Sequence, residues 1–165
     1  MTEGPYGDVE LMAEMVERFR TTPIHALLGL DILPLDPDRP AATVVTMPVA
    51  PGAIGSTGNV HGGAIATAVD VACASAAARS SAHVPTENSL VTADMHVRYL
   101  GRVKGSMLRV EAEVVRQGRT LIVVEGRVLD DLDNLVAIAD FAAMIVPFRA
   151  PLKPELQTDA SAPEM

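Results

Sequence analysis

Apolar and polar residues alternate along the second half of the chain. The alternation is clearest in the run Leu108, Arg109, Val110, Glu111, Ala112, Glu113 and Val114. A period of two predicts a strand with one packed face and one face in water. Similar segments predict four successive antiparallel strands joined by the short turns 101–105, 117–119 and 131–134; the strands cover 90–100, 106–116, 120–130 and 135–148. Two earlier strands are predicted at 27–35 and 41–49.

Two segments have helical patterns of different kinds. Apolar residues at helical spacing predict an amphipathic helix over 8–20, with Asp8 as its N-cap. From residue 62 to about 80, in contrast, nearly every side chain is small and apolar. A helix that is apolar on all sides has to be enclosed on most of them. We therefore expect an α+β fold in which a curved antiparallel sheet wraps around this helix, and the remaining helix surface packs against a partner subunit.

Length and composition limit the possible organisation. The chain of 165 residues is long enough for one domain, to which we assign an N-terminal helix (1–22), a main body (23–149) and a disordered tail (150–165). A net charge of −8 argues against non-specific binding of nucleic acid. We see neither a membrane span nor a signal peptide, and the single Cys suits the cytoplasm.

Metal and thiol chemistry find little support. The candidate metal ligands match no known spacing; they are His25, His83, Asp94, His96 and Asp140. The sequence therefore predicts no metal site. Cys73 lies inside the apolar helix without a His at a fixed nearby spacing, so we interpret it as a core residue and not as a nucleophile.

The start of the apolar helix carries the most informative motif. Gly62 and Gly63 follow His61 and leave backbone N–H groups bare at the positive end of the helix, where a substrate carbonyl can approach them. Asp70 lies nine residues after His61 among small apolar residues, where a charge is costly unless it is paired or used. The segment thus offers an oxyanion donor and a carboxylate. Thr67 lies one turn before Asp70 and could hydrogen-bond to it.

The two groups are too far apart to act together within one chain. At ~1.5 Å rise per residue, the glycines and Asp70 are roughly 12–13 Å apart along the helix, whereas one reacting centre needs its groups within about 3 Å. Two antiparallel helices in a two-fold dimer would bring Gly62 of one chain to Asp70 of the other, in two equivalent sites. We therefore expect a homo-oligomer built from such dimers.

These motifs resemble those of a known family. His61, Gly62, Gly63 and Asp70, followed by the segments 95–100 and 117–120, are similar to the hotdog-fold acyl-CoA thioesterases, especially the phenylacetyl-CoA thioesterase-like (PaaI-type) branch. The similarity covers roughly residues 19–148. It implies that the main body, 23–149, is a hotdog domain whose five- or six-stranded sheet wraps a central helix. It also implies a dimer that joins the two sheets, or a tetramer, as in many members. The implied activity is the hydrolysis of acyl-CoA thioesters, with CoA as part of the substrate and no separate cofactor.

The resemblance also implies roles for single residues. The Gly62 N–H would polarise the thioester carbonyl, and Asp70 of the other subunit would act as general base or nucleophile. Thr92 would place the attacking water, and His61 would buttress the loop before the helix. Basic residues at strand ends would meet the CoA phosphates. The residues expected to contact substrate are Asn59, Gly63, Thr67, Arg98, Arg102, Lys104, Arg119 and Thr120.

One position departs from the family pattern, and two other functions stay open. Many members carry Asn or Gln six residues before the His, where this chain has Gly55. Either Asn59 or a water takes the place of that amide, or the mechanism is altered. The first alternative is a hotdog enoyl-CoA hydratase or dehydratase, which an enoyl-CoA substrate would reveal. The second is a non-catalytic acyl-CoA-binding sensor, which would bind tightly without releasing thiol.

Overall fold

The computed structural model describes residues 9–34, 36, 38–39, 42–80 and 87–148. The helices are α1 (Val9–Thr21), α2 (Pro23–Leu28) and α3 (Gly62–Ala78), with a short 3-10 helix at Pro51–Ala53. The strands are β1 (Asp31–Ile32), β2 (Ala42–Pro48), β3 (Asn88–Tyr99), β4 (Met107–Gln117), β5 (Leu121–Asp130) and β6 (Leu135–Pro147). The predicted N-cap Asp8 and the predicted tail, 150–165, lie outside the described residues. Within them, no helix is both long enough and apolar enough to span a membrane.

The six strands form one curved antiparallel sheet in the order β1-β2-β4-β5-β6-β3. Helix α3 packs against β2, β3, β4, β5 and β6, so the sheet wraps around it. The predicted α+β hotdog architecture is therefore confirmed.

The core lies between α3 and the sheet. The helix buries mainly small side chains there: Ala64, Ile65, Ala68, Val69, Ala72, Cys73, Ala76 and Ala77. The helix comes close to the sheet at Gly126 of β5, where an added Cβ would stand 3.2 Å from Cys73 Sγ. Burial, together with the nearby negative charge of Asp70, raises the pKa of Cys73 to about 12. The thiol stays protonated, as expected of a core residue.

The prediction of a strand over 27–35 was wrong. Residues up to Leu28 belong to α2, and β1 is only two residues long. Pro23 suits the first turn of a helix because its missing N–H has no helical partner there. Gly29 ends the helix at φ 63, with its N–H and that of Leu30 donating to carbonyls of the last turn. An apolar helix end followed by a capping turn thus produced a strand-like run.

The prediction of four successively paired strands was also wrong in one place. Strand β3 pairs with β6 at the edge of the sheet, whereas β4 lies between β2 and β5. The segment 101–105 therefore crosses the ends of β5 and β6 and is not a hairpin turn. The Gly101 N–H donates to the Val136 carbonyl at 3.2 Å, and the Lys104 N–H donates to Asp130 Oδ2 at 3.0 Å. The sequence of a short Gly-flanked segment does not show whether it forms a hairpin turn or crosses the ends of other strands.

The carboxylate of Asp130 holds this crossing in place. Its side chain is fully buried and accepts hydrogen bonds from the backbone N–H groups of Lys104, Leu132 and Asn134 and from the Asn134 amide. Burial works against the charge, but the hydrogen bonds outweigh it and lower the pKa of Asp130 to about 2. The β5–β6 turn and the crossing are thus tied to one ionised group.

Candidate active site

The imidazole of His61 caps the start of α3. Its Nδ1 accepts a hydrogen bond from the Gly63 N–H at 2.9 Å, so Nδ1 carries no proton and Nε2 carries the hydrogen of the neutral ring. A Cβ on residue 63 would stand only 2.9 Å from Nδ1; glycine is therefore required for the ring to reach this position. The Gly63 N–H, which we expected to contact substrate, already donates to His61 Nδ1.

The neighbouring N–H, that of Gly62, is differently placed. Across the described residues we find no acceptor for it. Tyr99 covers the same residue: its hydroxyl donates to the Gly62 carbonyl at 2.8 Å, and its ring lies 3.4 Å from where a Gly62 Cβ would stand. A groove of about 270 Å³ opens here, lined among others by Asn59, Gly62, Tyr99 and Arg102. An exposed amide at a helix start, beside a groove, can stabilise a developing oxyanion.

The carboxylate of Asp70 lies further along α3 and is half-buried. Thr92 on β3 donates its hydroxyl to Asp70 Oδ1 at 2.8 Å. Asp70 borders a separate open cavity of about 520 Å³, whose other walls include His25, Val71, Ala74, Leu90 and Phe148. A carboxylate that is held through one oxygen and borders a cavity can accept a proton from water.

The prediction that Thr67 hydrogen-bonds to Asp70 was wrong. The Thr67 hydroxyl donates instead to the Gly63 carbonyl, one turn back, at 2.9 Å. A helical Thr has this carbonyl within easy reach. The partner of Asp70 comes from the sheet, which spacing along the helix does not reveal.

A bulge in β3 allows this strand to contact both Asp70 and Gly62. In a regular strand, Thr92 and Tyr99 would point to opposite faces because side chains alternate. The pairing with β6 shifts between Thr92 and Asp94, which makes Ala93 an extra residue and reverses the alternation. Both side chains therefore face α3. Tyr99 belongs to the motif 95–100, but its sequence position alone gave no sign of a role.

Gly62 and Asp70 do not meet within one chain. They border different cavities and are separated by two turns of continuous helix, or ~12 Å. The chain brings Thr92 to Asp70, and Tyr99 and Arg102 to Gly62, but it leaves the two halves apart.

The loop before α3 contains Gly55, at the position where many family members carry Asn or Gln. A Cβ at Gly55 would stand 3.2 Å from His61 Cδ2, so a longer side chain could not enter without moving the ring. Asn59 lines the Gly62 groove, but its amide nitrogen donates to the carbonyl and hydroxyl of Thr57 at 3.2 and 3.1 Å. The carbonyl oxygen of the Asn59 side chain is the atom left to contact a ligand or water.

The basic residues expected near CoA fall into separate places. Arg102 lines the Gly62 groove, and the Lys104 side chain is exposed in the same crossing segment. Arg98 follows the strand alternation to the outer face and borders another pocket, with Asp140. Arg119 and Thr120 lie in the β4–β5 turn, at the opposite end of the sheet, where the Thr120 carbonyl accepts from Ile145. A single chain therefore does not assemble them around Gly62.

Three of the metal candidates, His25, His96 and Asp140, have other contacts in the structure. Among the described residues, no group of three or more His, Cys, Asp or Glu could hold a metal ion. His25 Nδ1 lies 2.8 Å from the Phe19 carbonyl, and His96 lies 3.9 Å from Asp140 on the outer face. His83 lies outside the part of the chain that the structure describes.

Comparison with known proteins decides the family. The model of the thioesterase superfamily matches residues 57–137. A solved protein from the thioesterase superfamily is 31% identical, with the match covering 81% of this chain and 97% of that one at a TM-score of 0.68. The chain belongs to the thioesterase superfamily. The matched segment contains both halves of the candidate site, including His61, Gly62, Asp70, Thr92 and Tyr99.

Two further relatives extend the comparison. A Bacillus halodurans protein solved with CoA is 29% identical, at a TM-score of 0.70, with the match covering 84% of this chain and 87% of that one. A putative esterase of Halobacterium salinarum is 38% identical over 77 residues, which are 47% of this chain and 50% of the esterase. The chain thus spans about half the length of this curated relative.

Proposed function

We propose that this superfamily member hydrolyses acyl-CoA thioesters to free acid and CoA, at two equivalent sites formed between paired subunits. The observation that carries the proposal is the division of the chemistry along α3. The Gly62 N–H, for which the described part of the chain offers no acceptor, borders one groove, and Asp70, held by Thr92, borders an apolar cavity. Each half lacks what the other half supplies. The CoA bound to the Bacillus halodurans relative supports CoA as the carrier of the acyl group.

The edge position of β3 supports the pairing of subunits. This strand is 12 residues long and has a neighbour on one side only within the described sheet. A long unpaired edge is a template for another strand. If a second copy pairs with it antiparallel about an axis between Met95 and His96, Thr92 of one chain stands opposite Tyr99 of the other. The same axis makes the two α3 helices antiparallel and brings Asp70 of one chain toward Gly62 of its partner.

The proposed reaction uses one group from each subunit. The Gly62 N–H of one subunit polarises the thioester carbonyl, and Asp70 of the other removes a proton from a water that attacks the carbonyl carbon. The tetrahedral oxyanion then faces the Gly62 N–H. Its collapse breaks the C–S bond, and the CoA thiolate leaves with the proton that Asp70 returns. Thr92 holds one oxygen of the Asp70 carboxylate, and direct attack of the other oxygen on the carbonyl carbon is the alternative to the general-base path.

The surroundings of the two groups suggest where the substrate lies. The apolar walls beside Asp70, including Val71, Leu90 and Phe148, suit an aryl or medium-chain acyl group. Arg102, in the groove beside Gly62, offers positive charge to CoA phosphates in a chain of net charge −8. In the two-fold arrangement, Arg119 and Thr120 of one chain come to the same end of the combined sheet as Arg102 of the other.

A thiol-release assay with aryl, short-chain and long-chain acyl-CoAs tests the proposal. Asp70→Asn preserves the size of the side chain but removes the base, and we expect hydrolysis to fall about 10²–10⁴-fold without loss of folding. Asp140→Asn is the matched control, because this carboxylate is 72% exposed on the outer face. Near-wild-type turnover by Asp70→Asn would contradict the assignment. Tight acyl-CoA binding with no thiol release by the wild type would favour a sensor instead.

A further inference from the structure

Tyr99 is half-exposed, yet both its ring and its hydroxyl are fixed on the start of α3. The hydroxyl donates to the Gly62 carbonyl at 2.8 Å, while the ring packs beside the Gly62 α-carbon. In a side chain with 50% exposure, water could satisfy the hydroxyl equally well. The hydrogen bond therefore matters more for the position of Gly62 than for the solvation of the Tyr99 hydroxyl.

The hydrogen bonds of Tyr99 and His61 are made to one and the same peptide unit. The Gly62 carbonyl and the Gly63 N–H belong to the same amide; Tyr99 donates to its oxygen, and its N–H donates to His61 Nδ1 at 2.9 Å. A hydrogen bond to the oxygen of an amide strengthens the amide as a donor at nitrogen. Tyr99 thus supports the bond that locks the His61 ring. With the Gly63 N–H committed, the Gly62 N–H is the donor that remains for a substrate.

The strand end that carries Tyr99 is itself firmly held. Tyr99 is paired with Ala137 on β6, and the next two N–H groups, those of Leu100 and Gly101, both donate to the Val136 carbonyl at 2.8 and 3.2 Å. The bulge at Ala93 turns the Tyr99 side chain toward the helix. The sheet can therefore fix the position of the helix start through this one side chain.

We propose that Tyr99 is a positioning residue for the oxyanion donor. It holds the Gly62–Gly63 peptide and, through it, the His61 ring, so that the Gly62 N–H faces the groove where a substrate carbonyl would lie. Tyr99 acts through the backbone and not on the scissile bond. The inference rests on the proposed thioester hydrolysis for its kinetic consequence, but not for its structural one.

The kinetic test uses Tyr99→Phe, which keeps the ring and removes only the hydroxyl. We expect kcat to fall about 3–10-fold, the effect of losing one neutral hydrogen bond, with KM changed less than about 2-fold. Thr21→Val is the control: it removes a hydroxyl that donates to the Glu17 carbonyl at 2.9 Å, at the end of α1. The control should keep the wild-type kcat.

A spectroscopic readout separates positioning from a general loss of structure. The ring-nitrogen NMR shifts of His61 report the bond to Nδ1, and we expect them to move in Tyr99→Phe and not in Thr21→Val. An unchanged kcat, or unchanged His61 nitrogen shifts, would overturn the proposal. If the wild type hydrolyses no acyl-CoA, the proposed function fails, and the His61 shifts still decide whether Tyr99 positions the helix start.

Discussion

Asp70 and Asp130 are two carboxylates with opposite surroundings. Asp130 is fully buried and holds hydrogen bonds from three backbone N–H groups and the Asn134 amide. Asp70 borders an open cavity and receives a single hydrogen bond within the described residues, from Thr92. The first arrangement uses up the capacity of the carboxylate and ties two loops together; the second leaves an oxygen free to act. The unused capacity of an acid, more than its depth in the fold, distinguishes a reactive site from a structural one.

Exchanging each acid for its amide tests this contrast with the largest expected effects. Asp70→Asn should lose activity as described above and keep its Tm. Asp130→Asn should do the reverse, because its amide NH₂ would face the donors of Lys104 and Asn134. We expect its Tm to fall by about 5–10 °C, with kcat per folded molecule retained. Thermal melts and thiol-release assays on both variants provide the measurement.

The acid dependence of stability sharpens the same test. The pKa of Asp130 is lowered from 3.8 to about 2 in the fold. A lowered pKa stabilises the protein above the unfolded-state value, and this contribution is lost as the pH falls from about 3.8 toward 2. The stability difference between the wild type and Asp130→Asn should therefore shrink over that range. A difference that is constant with pH would show that the charge of Asp130 is not what holds the crossing.

A smaller effect is expected when Asp70 loses the hydroxyl of Thr92, its one hydrogen-bond partner among the described residues. Thr92→Val keeps the β-branched shape and deletes the hydroxyl, and we expect kcat to fall about 10–100-fold, as for a hydrogen bond to a charged group. Thr43→Val is the control: it removes a buried hydroxyl that accepts from Arg79 at 2.8 Å and should affect stability but not kcat. Equal kcat values for the two variants would show that the Thr92 hydroxyl has no role in catalysis.

Local patterns predicted the elements that matter most for the site. The expected strand 106–116 corresponds to Met107–Gln117, and the expected helix from 62 to about 80 corresponds to Gly62–Ala78. Strict alternation and a continuous run of small apolar residues are signals within one segment, so they can be read without knowing the fold. The separation of Gly62 from Asp70 follows from helical rise alone.

Long-range pairing was beyond the same reasoning. Nothing in residues 101–105 distinguishes a hairpin from a crossing, because the difference lies in which distant strand β3 joins. The bulge at Ala93 decides that Tyr99 faces α3, and a bulge depends on the register with β6. Thr67 could reach either a carboxylate or a carbonyl, and only the folded chain shows which it contacts. These errors concern which residues come together in the fold, whereas the successes rest on patterns within one segment. The wrong strand over 27–35 shows that a short apolar segment can also mislead.

The sharing of one site between two chains can be measured by mixing two inactive variants. Gly62→Pro removes the N–H at the first helical position, where Pro is favoured, and Asp70→Asn removes the base. In a mixed dimer, one site combines the intact Gly62 of one chain with the intact Asp70 of the other. Equal amounts, unfolded and refolded together, should recover about a quarter of the wild-type kcat, since about half of the dimers are mixed and each has one intact site. Activity no higher than that of the separate variants, although mixed dimers form, would contradict the account.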